Sequence, residues 1–312
     1  MISTVWLPLL LPFLAAPAGR RLASQLPPRQ AIWLLTLTAT GLAAASTCAL
    51  ALLIVPGATH LHVVAALGHL LTPLSNGSPD AVIAIAVTAG ALLAWSTARL
   101  VRGVRRRWTQ LHRAGRLAAE ADGELVVLTD DHPDAYALPG SPGRIIVTTG
   151  MLRALSGPER EALLAHERAH LTGHHHVFTA AVDLAALCHP ALRTLREPLG
   201  YAVERSADES AARAVGSRRL TARAIGRAAL AAHAPSTGRT RPGLALAATA
   251  GPVPRRVAAL LGEGTEARTA RPLARRAAAV ALVACLALAA GASLQAADDL
   301  HDGIEVAQGE TP

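Results

Sequence analysis

The chain has 312 residues, 51% of them apolar and only 3% aromatic, with 17% charged and a formal net charge of +8. That mixture suits packed helices and membrane spans better than a β-rich domain. The positive charge does not mark a nucleic-acid binder, because the arginines gather beside long apolar runs instead of along an aromatic-studded surface.

Four segments read as membrane spans: 2–18, 31–55, 81–101 and 277–294. A crossing takes about 20 residues, so the first is barely long enough. Ala15-Ala16-Pro17-Ala18 looks like a small-residue cleavage site. A signal peptide carries its positive charge before the apolar core, however, and here Arg20 and Arg21 follow it. Arginine placement then sets orientation, since cytoplasmic flanks of spans collect basic residues. Arg20, Arg21 and Arg29 put the first loop inside, and residues 56–80, which lack arginine, face outward. Arg99, Arg102 and Arg105–Arg107 lie at and after the end of the third span, and Arg271, Arg275 and Arg276 precede the fourth. Residues 1–101 are thus expected to hold three spans, and 102–276 a cytoplasmic domain. A fourth span over 277–294 then leads to a short acidic outer tail, 295–312, with both termini outside a cell membrane crossed several times.

Within the cytoplasmic block, 105–121 reads as a helix and 124–128, 135–138 and 144–148 as short strands. Gly140-Ser141-Pro142-Gly143 marks a turn between the last two strands. Ser156 is a candidate helix N-cap, with Pro158 and Glu159 in the first turn. The apolar stretch 177–187 is too short to span and contains Asp183, so it packs on the domain or at the interface. Three scattered cysteines offer neither a disulfide framework nor a zinc ribbon. The fold class expected is α+β and mostly helical.

Chemistry concentrates in His166-Glu167-Arg168-Ala169-His170. A four-residue step on an α-helix puts both histidines on one face, one turn apart. Two neutral imidazoles so placed can bind one zinc ion, and Glu167 beside them can reach a water on the metal as general base. A catalytic zinc needs a third protein ligand and an open position. Downstream, Glu204-Arg205-Ser206-Ala207-Asp208 puts two carboxylates on one helix face. Glu204 can ligate, and Asp208 can hold the free nitrogen of a ligating histidine. His174, His175 and His176 read as a polar turn after the motif helix.

Ala135-Tyr136-Ala137-Leu138-Pro139-Gly140, then Ile145–Leu152, then Leu163-Leu164-Ala165 leading into the His-Glu motif, resemble the HtpX-type membrane zinc metallopeptidases and their CAAX prenyl protease relatives. Glu204–Asp208 is similar to the element that carries their third ligand. The placement of a domain between third and fourth spans resembles the metallopeptidase portion of β-lactam-sensing antirepressor membrane proteins. Val253-Pro254-Arg255-Arg256-Val257 looks faintly like a proline-arginine element near the end of such domains. The resemblance implies a gluzincin-like domain with a small edge-strand sheet and one zinc per subunit. It also implies protein or peptide substrates that pair in extended form with the strand at Asp134, Ala135, Tyr136 and Ala137. The family commonly has asparagine where this chain has Asp134, and a carboxylate cannot donate to a substrate carbonyl. The reading is an integral-membrane zinc endopeptidase embedded in a lipid bilayer, with its catalytic domain cytoplasmic. The alternative is a membrane signalling protein whose zinc domain is latent or triggered. No feature of the sequence specifies an oligomeric state.

Overall fold

Long alanine- and leucine-rich stretches with few breakers favour long helices. The computed structural model describes residues 4–61, 66, 78–119, 123–233, 246–247, 253–262 and 272–308. A 3₁₀ turn (Thr4–Trp6) leads into α1 (Leu7–Gln25), followed by α2 (Pro28–Ala58) and α3 (Pro79–Ala119). Three short strands come next: β1 (Leu125–Leu128), β2 (Ala135–Leu138) and β3 (Arg144–Thr148). The chain then returns to helix in α4 (Thr149–Ala154), α5 (Gly157–Thr172) and α6 (His175–Cys188). After a 3₁₀ segment (Pro190–Leu195) come α7 (Arg196–Ala214), α8 (Arg218–Ala232), a two-residue β4 (Leu246–Ala247), α9 (Val253–Leu261) and α10 (Pro272–Gln308).

Among the described residues, three helices are long and apolar enough to cross a membrane: α2, α3 and the Arg276–Gln308 part of α10. The first expected span is a shorter apolar helix, Thr4–Gly19. Two expected boundaries differ from the structure. Helix α3 runs unbroken through residue 101 into the arginine-rich stretch, because the end of an apolar window is not a helix stop and arginine is a good helix former. Residues 295–308 of the expected acidic tail continue α10, with Gln295 donating to Asp299 and His301 facing Glu305 one turn on. Most of the outer loop 62–77, the stretch 234–243 and Arg271 lie outside the described residues.

The strands form one sheet in the order β1-β3-β2-β4. Strand β3 pairs parallel with β1 and antiparallel with β2, whose far side pairs antiparallel with β4 in the register Tyr136↔Ala247 and Ala137↔Leu246. The expected free edge at β2 is therefore covered: an open strand edge offers unpaired N–H and C=O groups, and Leu246–Ala247 uses them.

One apolar cluster joins the apolar helices to the rest. Leu11, Leu35, Leu42 and Leu282 from α1, α2 and α10 pack with Val182 of α6, with Leu192 and Leu195, and with Leu199 of α7. Asp183, the charge in the short apolar stretch, accepts from Arg107 of α3 and, at 2.7 Å, from Arg196 of α7. The stretch packs mainly against the apolar helices, with Val182, Ala185 and Ala186 in the cluster that Leu35 and Leu42 of α2 and Leu282 of α10 share.

The motif helix α5 is pinned at its start. Ser156 donates through its N–H (2.9 Å) and hydroxyl (2.8 Å) to Glu159, closing a capping box, while Arg223 and Arg227 of α8 each approach the same carboxylate at 3.0 Å. Burial pushes the Glu159 carboxyl up, but the Ser156 N–H, the Ser156 hydroxyl and Arg227 more than offset this and bring it down to about 2. A depressed carboxyl contributes stability above its unfolded pKa and loses it as pH falls through the folded one. Glu159→Gln is expected to destabilise by on the order of 2 kcal/mol at pH 7. The wild-type advantage is expected to shrink between about pH 4.5 and pH 2. Thermal unfolding of both proteins in detergent across that range measures it.

Candidate metal centre

Helix α5 presents His166, Glu167 and His170, and α7 crosses it so that Glu204 and Asp208 face the two histidines. His166, Glu167, His170, Glu204, Asp208 and Arg256 of α9 are each at most 5% exposed. Three carboxylates this deep need compensation, because an uncompensated buried charge is costly.

Each group faces a partner. His166 and His170 approach through their Nε2 atoms at 3.1 Å. Glu204 lies 3.6 Å from His166 Nε2 and 3.7 Å from His170 Nε2. His166 turns its other nitrogen, Nδ1, to Asp208 at 2.9 Å. Arg256 meets Asp208 with two parallel bonds, Nε to Oδ2 at 2.8 Å and Nη2 to Oδ1 at 2.6 Å, and reaches Glu204 through Nη1 at 2.8 Å. Arg255 beside it stacks over the Tyr201 ring, 4.6 Å from its centroid, which helps seat α9 on α7. His166 Nδ1 and Glu204 Oε2 make close charge contacts without hydrogen bonds of good geometry, and Glu167 makes neither kind of contact to a side chain. Neither of its carboxylate oxygens has a hydrogen-bond partner of good geometry.

Electrostatics show a site seeking positive charge. Burial pushes His166 down, but the hydrogen bonds to Asp208 and Glu204 more than offset it and raise the imidazole to about 10. His170, four residues on, is driven well below its ordinary value by burial and then by His166, His175 and Arg256. Glu167 is raised to about 7, first by burial and then by Glu204, against His166, the Ala137 backbone N–H and Arg256.

His166, His170 and Glu204 form a buried group that could hold a metal ion. Zinc–nitrogen bonds of about 2.0–2.1 Å in a tetrahedral shell put ligand atoms about 3.3 Å apart. The Nε2 pair at 3.1 Å is close to that spacing, and the two Glu204 oxygens lie slightly beyond it, Oε2 at 3.6 Å from His166 and Oε1 at 3.7 Å from His170. Neither oxygen of the neighbouring Glu167 is tied up by a side-chain hydrogen bond, which fits a group that must stay available.

The structure thus brings together His166, Glu167, His170, Glu204 and Asp208. The strand residues stand apart in kind. Asp134 uses its N–H and C=O on Thr148, both at 2.9 Å. Ala135 and Ala137 are buried, and Tyr136 packs with Ala114, Ala118, Leu138 and Ile146. Arg256 carries more of the site than its faint proline-arginine element foretold. The three histidines also divide: His174 makes the turn with a left-handed backbone (φ 49°), whereas His175 is buried with its Nδ1 2.9 Å from His170 Nδ1. The cysteines are all free.

Residues 98–194 match the family model described as Peptidase family M48. That segment contains the His166–His170 motif and ends before Glu204, Asp208 and Arg256. No curated protein and no solved structure matches the chain. The match and the His-His-Glu group support a metal-dependent peptidase.

Removing Arg256 leaves two buried carboxylates facing each other. Arg256→Leu is expected to cost about 3–5 kcal/mol in the metal-free protein. Arg256→Lys, which lacks the fork, is expected to recover only part of this. Thermal unfolding after chelation measures both.

Proposed function

We propose that this protein is an integral-membrane zinc endopeptidase in which His166, His170 and Glu204 hold one ion and Glu167 is the general base. One observation carries the reading: two Nε2 atoms and the Glu204 carboxylate converge, each Nε2 within 3.7 Å of a Glu204 oxygen, on the helix that carries the buried Glu167 carboxyl. Zinc held there polarises a scissile carbonyl and makes a water acidic enough to lose a proton near neutral pH.

The chain's own residues do the remaining work. Glu167, lifted to about 7 by burial, takes a proton from the attacking water and returns it to the leaving nitrogen. Asp208 accepts from His166 Nδ1 and so leaves the Nε2 lone pair free. Arg256 fixes Asp208 and one oxygen of Glu204. A protein substrate in extended form adds to the outer edge of β2, taking the place of Leu246–Ala247. Glu167 sits against that strand, since the Ala137 N–H favours its ionised form.

The membrane topology proposed is four passes, with the zinc domain cytoplasmic and both termini outside. Two features support it. Three long apolar helices are present, and the α1–α2 junction at Pro27–Arg29 lines one cavity with Thr172–His175 and Ser206–Arg213, so the first arginine loop lies on the zinc domain's side. Within metallopeptidases of this kind, the arrangement follows the HtpX-type and antirepressor pattern, with a gluzincin-like helix pair carrying the ligands.

Glu167→Gln is expected to keep zinc and lose cleavage, while His166→Ala loses both. Metal content of the purified proteins and new protein N-termini in cells expressing each form check this. Normal cleavage by Glu167→Gln would sink the assignment of the base. For topology, a reporter fused after Pro312 is expected to be active only outside the cytoplasm. A cytoplasmically active fusion would reverse the orientation.

A further inference from the structure

The two histidines of the metal group are held from behind by different chemistry. His166 Nδ1 faces the Asp208 carboxylate, and His170 Nδ1 faces a neighbour that no motif predicts, His175 Nδ1 at 2.9 Å. We infer that His175 is the positioning residue of His170, a neutral acceptor that fixes the His170 ring and tautomer for the metal. The inference rests on the metal reading above.

Geometry assigns the protons. His170 directs Nε2 toward His166 Nε2 and Glu204, so that nitrogen must keep its lone pair for a cation and the ring proton lies on Nδ1. A proton on His170 Nδ1 needs an acceptor at hydrogen-bond distance, and His175 Nδ1 is there. His175 therefore carries its own proton on Nε2. Its ring meets His170 edge-on, with centroids 4.9 Å apart and planes at 82°.

The local backbone is built around this contact. Only Gly173 and His174 separate α5 from α6, and His174 takes the left-handed conformation, the one non-glycine residue with positive φ among the described residues. Such a conformation persists where the surroundings over-determine it. The turn brings the first residue of α6 back beside the last turn of α5. Gly173 supplies the room: a Cβ there would lie 2.6 Å from His175 Nε2 and 2.8 Å from the Ala169 carbonyl oxygen. Any side chain at 173 would drive the His175 ring from its place. A close approach and a strained turn therefore converge on one imidazole, itself 4% exposed.

The choice of a neutral acceptor has a physical reason. The site holds Glu167, Glu204 and Asp208 against Arg256, and a bound dication would supply the remaining positive charge. A carboxylate at 175 would add a negative charge with nothing to offset it, whereas an imidazole orients His170 without adding any.

The test uses the full-length protein in detergent, reading zinc affinity by competition with a chelator and the visible spectrum of the cobalt-substituted form. His175→Leu is expected to weaken zinc binding about 10- to 100-fold and shift the cobalt bands. His175→Asn, whose Oδ1 sits where Nδ1 does, is expected to stay near wild type. His175→Gln, whose oxygen reaches toward the Nε2 position, is expected to fall with leucine. Gly173→Ala is expected to reproduce the leucine defect with His175 intact. Wild-type affinity and spectrum in His175→Leu would overturn the role. If the leucine variant does not fold, the asparagine–glutamine contrast decides, and equal losses in those two overturn it. A wild-type chain that takes no zinc overturns the metal reading and this one together, whereas normal zinc binding with an indifferent His175 overturns only this one.

Discussion

Three carboxylates and two imidazoles share one buried space, and the arrangement of α5, α7 and α9 follows from that crowding. A buried carboxylate is tolerable only when paired. Among the described residues, Arg256 is the one arginine that reaches Glu204 and Asp208, and its fork answers two of the three negative charges at once. The third, on Glu167, has no such answer and is lifted toward neutrality by burial. With a divalent cation in the His-His-Glu group, positive and negative formal charges in the site become equal. The two histidines respond in opposite directions: His166 is raised by its Asp208 and Glu204 partners against burial, and His170 is lowered by burial and by the charges of His166, His175 and Arg256.

That electrostatic knot also determines what the apolar core must do. Helix α7 carries Glu204 and Asp208 on one face and buries Leu199, Ala202 and Val203 on another, against residues of α1 and α2. Helix α7 is thus part of the same apolar cluster as the membrane-length helices. Helix α8, in turn, holds the start of the motif helix through Glu159 and packs Ala228 against Val147, Met151 and Leu163. Each ligand-bearing helix is therefore braced on a face away from its ligands.

Much of this was legible where the deciding contacts are local. Two histidines four apart on one helix, two carboxylates four apart on another, the Ser156–Glu159 cap and the turn at Gly140–Gly143 all follow from short-range geometry. What escaped depends on contacts made across long sequence separations. All basic residues in the chain are arginine, so nothing local distinguishes Arg256 from its neighbour Arg255, although one is fully buried and the other stacks on Tyr201. Among three consecutive histidines, only the return of α6 against α5 separates the turn-former from the buried one. The covering of β2 was invisible for the same reason, because two residues far downstream supply its partner strand.

Helix α3 has a mechanical consequence. It leaves its apolar window near residue 101 and continues without a break to Ala114 and Ala118, which pack on Leu138 and Ile146 of the sheet. That is a stiff strut of about 20–25 Å, at 1.5 Å per residue, with no hinge along it. A sheet mounted on such a strut has a set height above the bilayer surface. On the proposed topology, reach becomes a criterion alongside side-chain preference: a polypeptide anchored in the same membrane meets β2 only with the segment that lies at that height.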